Sequence, residues 1–144
     1  DDALEISYGG TVAMTNCIVW GHTVADMTNF PASSGGVLSN VAYSCFGKVY
    51  GKNYGDSTAV MAGDYANSRC ITNDPKFVDA STNNYRLIVW PTASQSPCLN
   101  RGTNEAWMTT ATDLAGAPRI QNITVDMGAY ENKVPFKGTV ILLR

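Results

Sequence analysis

The chain is poor in charge. Of its 144 residues, 15% are Asp, Glu, Lys or Arg, against roughly one quarter in an ordinary soluble domain. Ten basic residues face twelve acidic ones, the formal net charge is -2, and the Lys and Arg side chains are scattered. A nucleic-acid partner requires a concentrated basic face, so none is expected, and strongly anionic polymers are disfavoured on the same ground. There is a single histidine, His22. That excludes a multi-histidine metal centre. It also leaves a Ser-His-Asp hydrolase only His22 as its base, with no supporting motif nearby. No Cys-x-x-C pair occurs, which argues against structural zinc and thioredoxin-like redox chemistry. No acidic stretch has calcium-loop spacing. Neither a metal nor a cofactor is expected. No apolar run approaches the ~18 residues of a membrane-spanning helix, and the tail Thr139-Val140-Ile141-Leu142-Leu143 has only a strand's length. The chain opens on Asp1-Asp2 without a leader signature, and it is expected to be either a mature product or an excised piece of a longer protein.

Hydrophobic residues make up 44% and aromatics 10% of the chain, and Ser, Thr, Asn and Gly together account for about a third. This mixture suits short strands joined by many turns in an extracellular protein. No 12-residue window sustains a helical period without Gly, Pro or β-branched interruption. The chain therefore reads as mostly β. Strand candidates are 4–7, 11–20 (stopped by Gly21), 37–46 (stopped by Gly47), 70–78, 85–89, 125–130 and 138–143. Between them lie a polar loop at 22–36 and a Gly- and Tyr-rich stretch at 48–69.

The four cysteines fall at positions 17, 45, 70 and 98. Near-equal spacing of this size suggests a solenoid with one cysteine per coil, stacked as an inward ladder at about 4.8 Å per step. In a secreted chain an even count also permits two disulfides, with three possible connectivities.

Several segments occur in an order that resembles the C-terminal part of bacterial right-handed parallel β-helix proteins ending in the choice-of-anchor Q domain. They are Thr15-Asn16-Cys17-Ile18-Val19-Trp20-Gly21, Val41-Ala42-Tyr43-Ser44-Cys45, Asp74-Pro75-Lys76-Phe77-Val78-Asp79, Tyr85-Arg86-Leu87 and Ser96-Pro97-Cys98. Two more follow: Thr112-Asp113-Leu114-Ala115-Gly116-Ala117-Pro118-Arg119-Ile120 and Val125-Asp126-Met127-Gly128-Ala129-Tyr130-Glu131. The resemblance implies an all-β fold: a right-handed parallel β-helix of a few coils filling residues 1–144 as one domain, with 113–144 as a C-terminal cap. It further implies the C-terminal piece of a larger secreted bacterial protein. The stretch 48–69 departs from the pattern, as do the segment 87–96 and Cys70. Long loops of this kind often carry function.

Such β-helices serve as lyases, adhesins and carbohydrate-binding modules. Hydrolysis needs two carboxylates flanking a bond. The pairs on offer are Asp56 with Asp64, which sit in a loop, and Asp113 with Asp126, which read as structural with Arg119 as ion partner. A lyase needs a base and cationic groups for a uronate, and the basic residues are few and scattered. Binding a neutral polysaccharide requires less: sugar C–H faces stack on aromatic rings while hydroxyls find polar side chains. The sequence therefore points to a non-catalytic module that binds a neutral plant polysaccharide, with xylan the best fit, as a monomer or as part of a multidomain glycoside hydrolase. The alternatives are an adhesin or passive stalk, and a lyase or hydrolase fragment. The expected contacts are Tyr50, Tyr54, Tyr65, Trp20, Trp90, Trp107, Asn53 and Asp56. Tyr43, Tyr130, Phe77 and Tyr85 read as packing residues, and His22 as a loop residue without a role.

Overall fold

The computed structural model describes residues 3–6, 11–29, 37–50 and 68–133. Among the described residues nine short strands run in chain order: β1 (Glu5–Ile6), β2 (Thr11–Thr15), β3 (Ile18–Val19), β4 (Met27–Asn29), β5 (Val37–Ala42), β6 (Cys45–Phe46), β7 (Val49–Tyr50), β8 (Phe77–Asp79) and β9 (Asn84–Leu87). The first seven pair only in parallel, as β1-β4-β7, β2-β5 and β3-β6. Each passage through three strands thus lies on the passage before it. Thr11 faces Val37, Thr15 faces Ala42 and Ile18 faces Cys45, and a parallel bridge between Cys45 and Ile71 continues the stack. The interval between paired residues is 26 or 27 positions along β2-β5, β3-β6 and the Cys45–Ile71 bridge, and 22 or 23 along β1-β4-β7. After Ile71 the pattern changes. β8 and β9 form an antiparallel hairpin around a 3-10 turn at Ala80–Thr82. Residues 96–133 are built mainly of turns, including a 3-10 turn at Ala106–Thr109. The expected strand at 125–130 is absent, and 138–143 lies outside the described residues.

The apolar run 11–20 divides into β2 and β3, and the run 37–46 into β5 and β6, at corners the sequence does not announce. Asn16, Tyr43 and Arg69 occupy equivalent places on successive passages, with φ of 58°, 48° and 60°. Left-handed backbone is uncommon for tyrosine and arginine, so tertiary contacts must hold it. Asn16 donates from Nδ2 to the Thr103 carbonyl at 2.9 Å and accepts the Thr103 N–H at 2.7 Å. The Arg69 guanidinium sits 5.8 Å from the Tyr43 ring centroid, a cation-π distance.

The same register shifts the cysteines out of line. Ser44, not Cys45, lies next to Cys17, and its hydroxyl accepts the Cys17 N–H at 3.1 Å. The expected one-cysteine-per-coil ladder is therefore not formed. The coil interval differs from the cysteine spacing, so Cys45 falls one position out of line with Cys17 and Cys70.

Two apolar clusters hold the chain together. Met27, Val41, Phe46 and Val49 pack inside the parallel stack with Leu4, Val12, Met14, Val19 and Cys70. Cys45, Leu87, Cys98, Leu99 and Met127 join the stack to the C-terminal turns, packed against Ile18, Trp20, Ile71 and Phe77 among others. No helix among the described residues is long and apolar enough to cross a membrane.

Candidate functional site

Where the stack meets the C-terminal turns there is an open groove of about 380 Å³. β3 and the residues after it supply Ile18, Val19, Trp20 and His22; the hairpin supplies Phe77, Tyr85 and Leu87; the turns supply Leu114, Met127 and Tyr130. Among the described residues no Asp, Glu, Lys or Arg lines it. Its polar groups are imidazole, phenol and backbone.

Each wall has an identifiable support. Phe77 and Tyr85 meet edge to face, 5.3 Å between centroids at 83°, a favoured aromatic geometry. Tyr85 remains 46% exposed, and its hydroxyl donates to Asn83 Oδ1 at 3.2 Å. Arg86 places its guanidinium 4.7 Å from the Tyr130 ring centroid. His22 Nδ1 lies 3.0 Å from Asp26 Oδ1, so the ring is held and Nε2 is left as its other polar atom. Asp26 is buried and also accepts the N–H groups of His22 at 3.0 Å and Lys48 at 2.7 Å. Burial alone would raise its pKa, but these hydrogen bonds prevail and hold the carboxyl below its usual range. Gly47 is required here. A Cβ at this position would run into Asp26 Oδ2 and come within 3.1 Å of the Trp20 ring.

The far wall, residues 127–130, hangs from a buried polar network. Gly128, with φ +97°, donates its N–H to the Asn16 carbonyl at 2.7 Å and accepts from Arg119 Nη2 at 2.8 Å. Leu114 N–H donates to the Ala129 carbonyl at 3.0 Å. Arg119 Nη1 pairs with Glu131 Oε1 at 3.1 Å. Asp113 and Asp126 serve the backbone. Asp113 accepts the N–H groups of Ala115, Ala117 and Glu131, and Asp126 accepts those of Asn100 and Asn132. The ion partner of Arg119 is therefore Glu131, a residue the sequence does not single out. Burial pushes the Glu131 carboxyl up to about 7 and raises that of Asp126. For Asp113 burial acts upward too, but the three amide hydrogen bonds outweigh it and keep the carboxyl low.

Of the contacts expected from sequence, the groove contains Trp20, which is half-buried. Trp90 and Trp107 are 70% and 58% exposed and do not line it; the Trp107 indole N–H donates to Glu105 at 2.7 Å. Tyr50 is placed only by its backbone in β7, and Asn53, Tyr54, Asp56, Asp64 and Tyr65 lie outside the described residues. Phe77, Tyr85 and Tyr130, which read as packing from sequence, share the groove with Trp20, as does His22. The His22-x-x-x-Asp26 spacing was the available signal for the last. Among the described residues no group of three or more His, Cys, Asp or Glu is placed to hold a metal ion. Compared with known proteins, the chain matches no family model, no curated protein and no solved structure.

Proposed function

We propose that this chain is a non-catalytic carbohydrate-binding module of a secreted protein, and that a neutral plant polysaccharide, xylan first among them, lies in the groove of Trp20, Phe77, Tyr85 and Tyr130. The carrying observation is the lining itself: aromatic, open and, among the described residues, without a charged side chain. Pyranose C–H faces suit such rings, and the Tyr85 hydroxyl and His22 offer hydrogen bonds to sugar hydroxyls. A volume of about 380 Å³ lies within the roughly 300–1,000 Å³ usual for ligand sites. A uronate polymer would want cationic or calcium-bearing walls, and a hydrolase would want carboxylates facing the cleft; among the described residues this lining has neither. The parallel stacking at intervals of 22 to 27 residues supports reading the fold as a short parallel β-helix. Right-handedness follows from the strong chirality of parallel crossovers. The resemblance to choice-of-anchor Q proteins supports the same reading, and attachment to a glycoside hydrolase would add avidity to modest affinity.

Affinity electrophoresis against xylan, mannan, β-glucan and cellulose tests the proposal. Retardation by at least one neutral glycan is expected, with a Kd of roughly millimolar to micromolar. No retardation by any of them would leave the passive stalk as the better reading.

A further inference from the structure

Four thiols allow several pairings by arithmetic, and the fold permits few of them. Ser44 lies between Cys17 and Cys70 at one corner position on three successive passages. Their backbones are thus two strand steps of roughly 4.8 Å apart, beyond the ~7 Å that a disulfide spans. Cys45 is one residue further along. Its sulfur reaches the Asn73 carbonyl at 3.2 Å, whereas Cys17 turns to the Thr15 carbonyl at 3.3 Å. Cys70 packs instead with the inner cluster of Met27 and Val41. Cys45 belongs to the second apolar cluster, which includes neither Cys17 nor Cys70. The thiol that shares its cluster is Cys98: both are free thiols, both are fully buried, and both pack with Leu87, Leu99 and Met127.

We propose that Cys45 and Cys98 form a disulfide when the chain folds in an oxidising thiol buffer, and that Cys17 and Cys70 remain thiols. The bond would tie β6 to the segment after β9, directly under Leu87 and Met127 in the groove floor. It stands independently of what the groove binds. Glutathione disulfide is a sufficient oxidant. One of its sulfurs bonds to Cys45 and a glutathione thiolate leaves. The Cys98 thiolate then attacks the Cys45 sulfur, the protein S–S bond forms and the second glutathione thiolate leaves. The two protons lost by the cysteines end on the two glutathiones. Since neither sulfur is exposed in the folded protein, the exchange belongs to folding, before the cluster closes.

The test is to reduce and unfold the full chain, refold it in mixed reduced and oxidised glutathione, and block free thiols with N-ethylmaleimide in denaturant. Intact mass and a non-reducing chymotryptic map follow. Chymotrypsin is needed because no Lys or Arg precedes Lys48, so trypsin leaves Cys17 and Cys45 on one peptide, whereas cleavage after Trp20 separates them. The expected product carries two blocked thiols, at Cys17 and Cys70, and one peptide pair joined through Cys45 and Cys98. Cys98→Ser should abolish that pair and leave three blocked thiols. Four blocked thiols in the wild-type chain, or a linkage using Cys17 or Cys70, would overturn the proposal whether or not the variant folds.

Discussion

Replacing Arg119 by methionine should destabilise the protein more at alkaline than at acidic pH. Arg119 is the buried partner of Glu131 and also donates to the Gly128 carbonyl. Its removal leaves that carbonyl without this donor, a loss of about 1–3 kcal/mol at any pH. The carboxylate adds a second loss. With the pair intact, Glu131 titrates at about 7, above its ordinary value. Its contribution to stability is therefore complete in acid and declines as pH rises through about 7. Without the guanidinium, ionisation inside the protein becomes less favourable still, and Glu131 stays protonated further into the alkaline range. At about pH 8 the wild-type chain sits roughly one unit past the folded pKa, and the variant forgoes the ionisation the wild type gains, about 1.4 kcal/mol. At about pH 5 both proteins hold Glu131 protonated and that difference vanishes. Urea denaturation at the two pH values measures it. With m near 2 kcal/mol/M, the gap between the midpoints of the two proteins should widen by roughly 0.7 M from the acidic to the alkaline condition. A gap equal at both, or larger in acid, would refute the assignment of Glu131 as the buried, guanidinium-dependent carboxylate.

Three further outcomes follow from the same geometry. Gly47→Ala forces a methyl group against Asp26 and Trp20 and should cost about 1–3 kcal/mol in denaturant titration; a neutral result would mean that the corner relaxes freely. Asp113→Ala removes the acceptor of three backbone N–H groups and should lower stability by about 2–4 kcal/mol at neutral pH. Because the folded Asp113 carboxyl lies low, its contribution is present above the ordinary carboxylate range and is lost as pH falls. The variant's acid-unfolding limb should accordingly be shallower. Tyr85→Ala should weaken glycan retention roughly three- to tenfold, the equivalent of about 0.5–1.5 kcal/mol of stacking, and unchanged retention would remove Tyr85 from the site.

The β-rich character and the main breaks were legible in the residues. β-branched runs ended by Gly21 and Gly47 become β2-β3 and β5-β6. The corners inside those runs were not, because nothing in the local preferences of Tyr43 or Arg69 favours positive φ; stacking between passages imposes it. The cysteine spacing misled for a related reason: only the strand register reveals that Cys17 adjoins Ser44. At the groove, Trp20 was identifiable as an aromatic at a strand end. Whether Tyr85 and Tyr130 face a cleft or a core depends on how the hairpin and the 127–130 wall are set. Distant partners do that setting, Asn16 and Arg119 for Gly128 and Arg86 for Tyr130. Such pairings leave no periodicity in sequence.

The proposal that a sugar chain lies in the groove is open to direct measurement. The chain has three tryptophans, Trp20, Trp90 and Trp107. A variant carrying Trp90→Phe and Trp107→Phe keeps only the one in the groove. Titrating it with soluble xylan oligosaccharides while following tryptophan emission should give a saturable change, with an affinity close to that of the wild-type chain measured by calorimetry. Wild-type binding that disappears in this variant, or persists while Trp20 emission stays flat, would contradict the groove as the site.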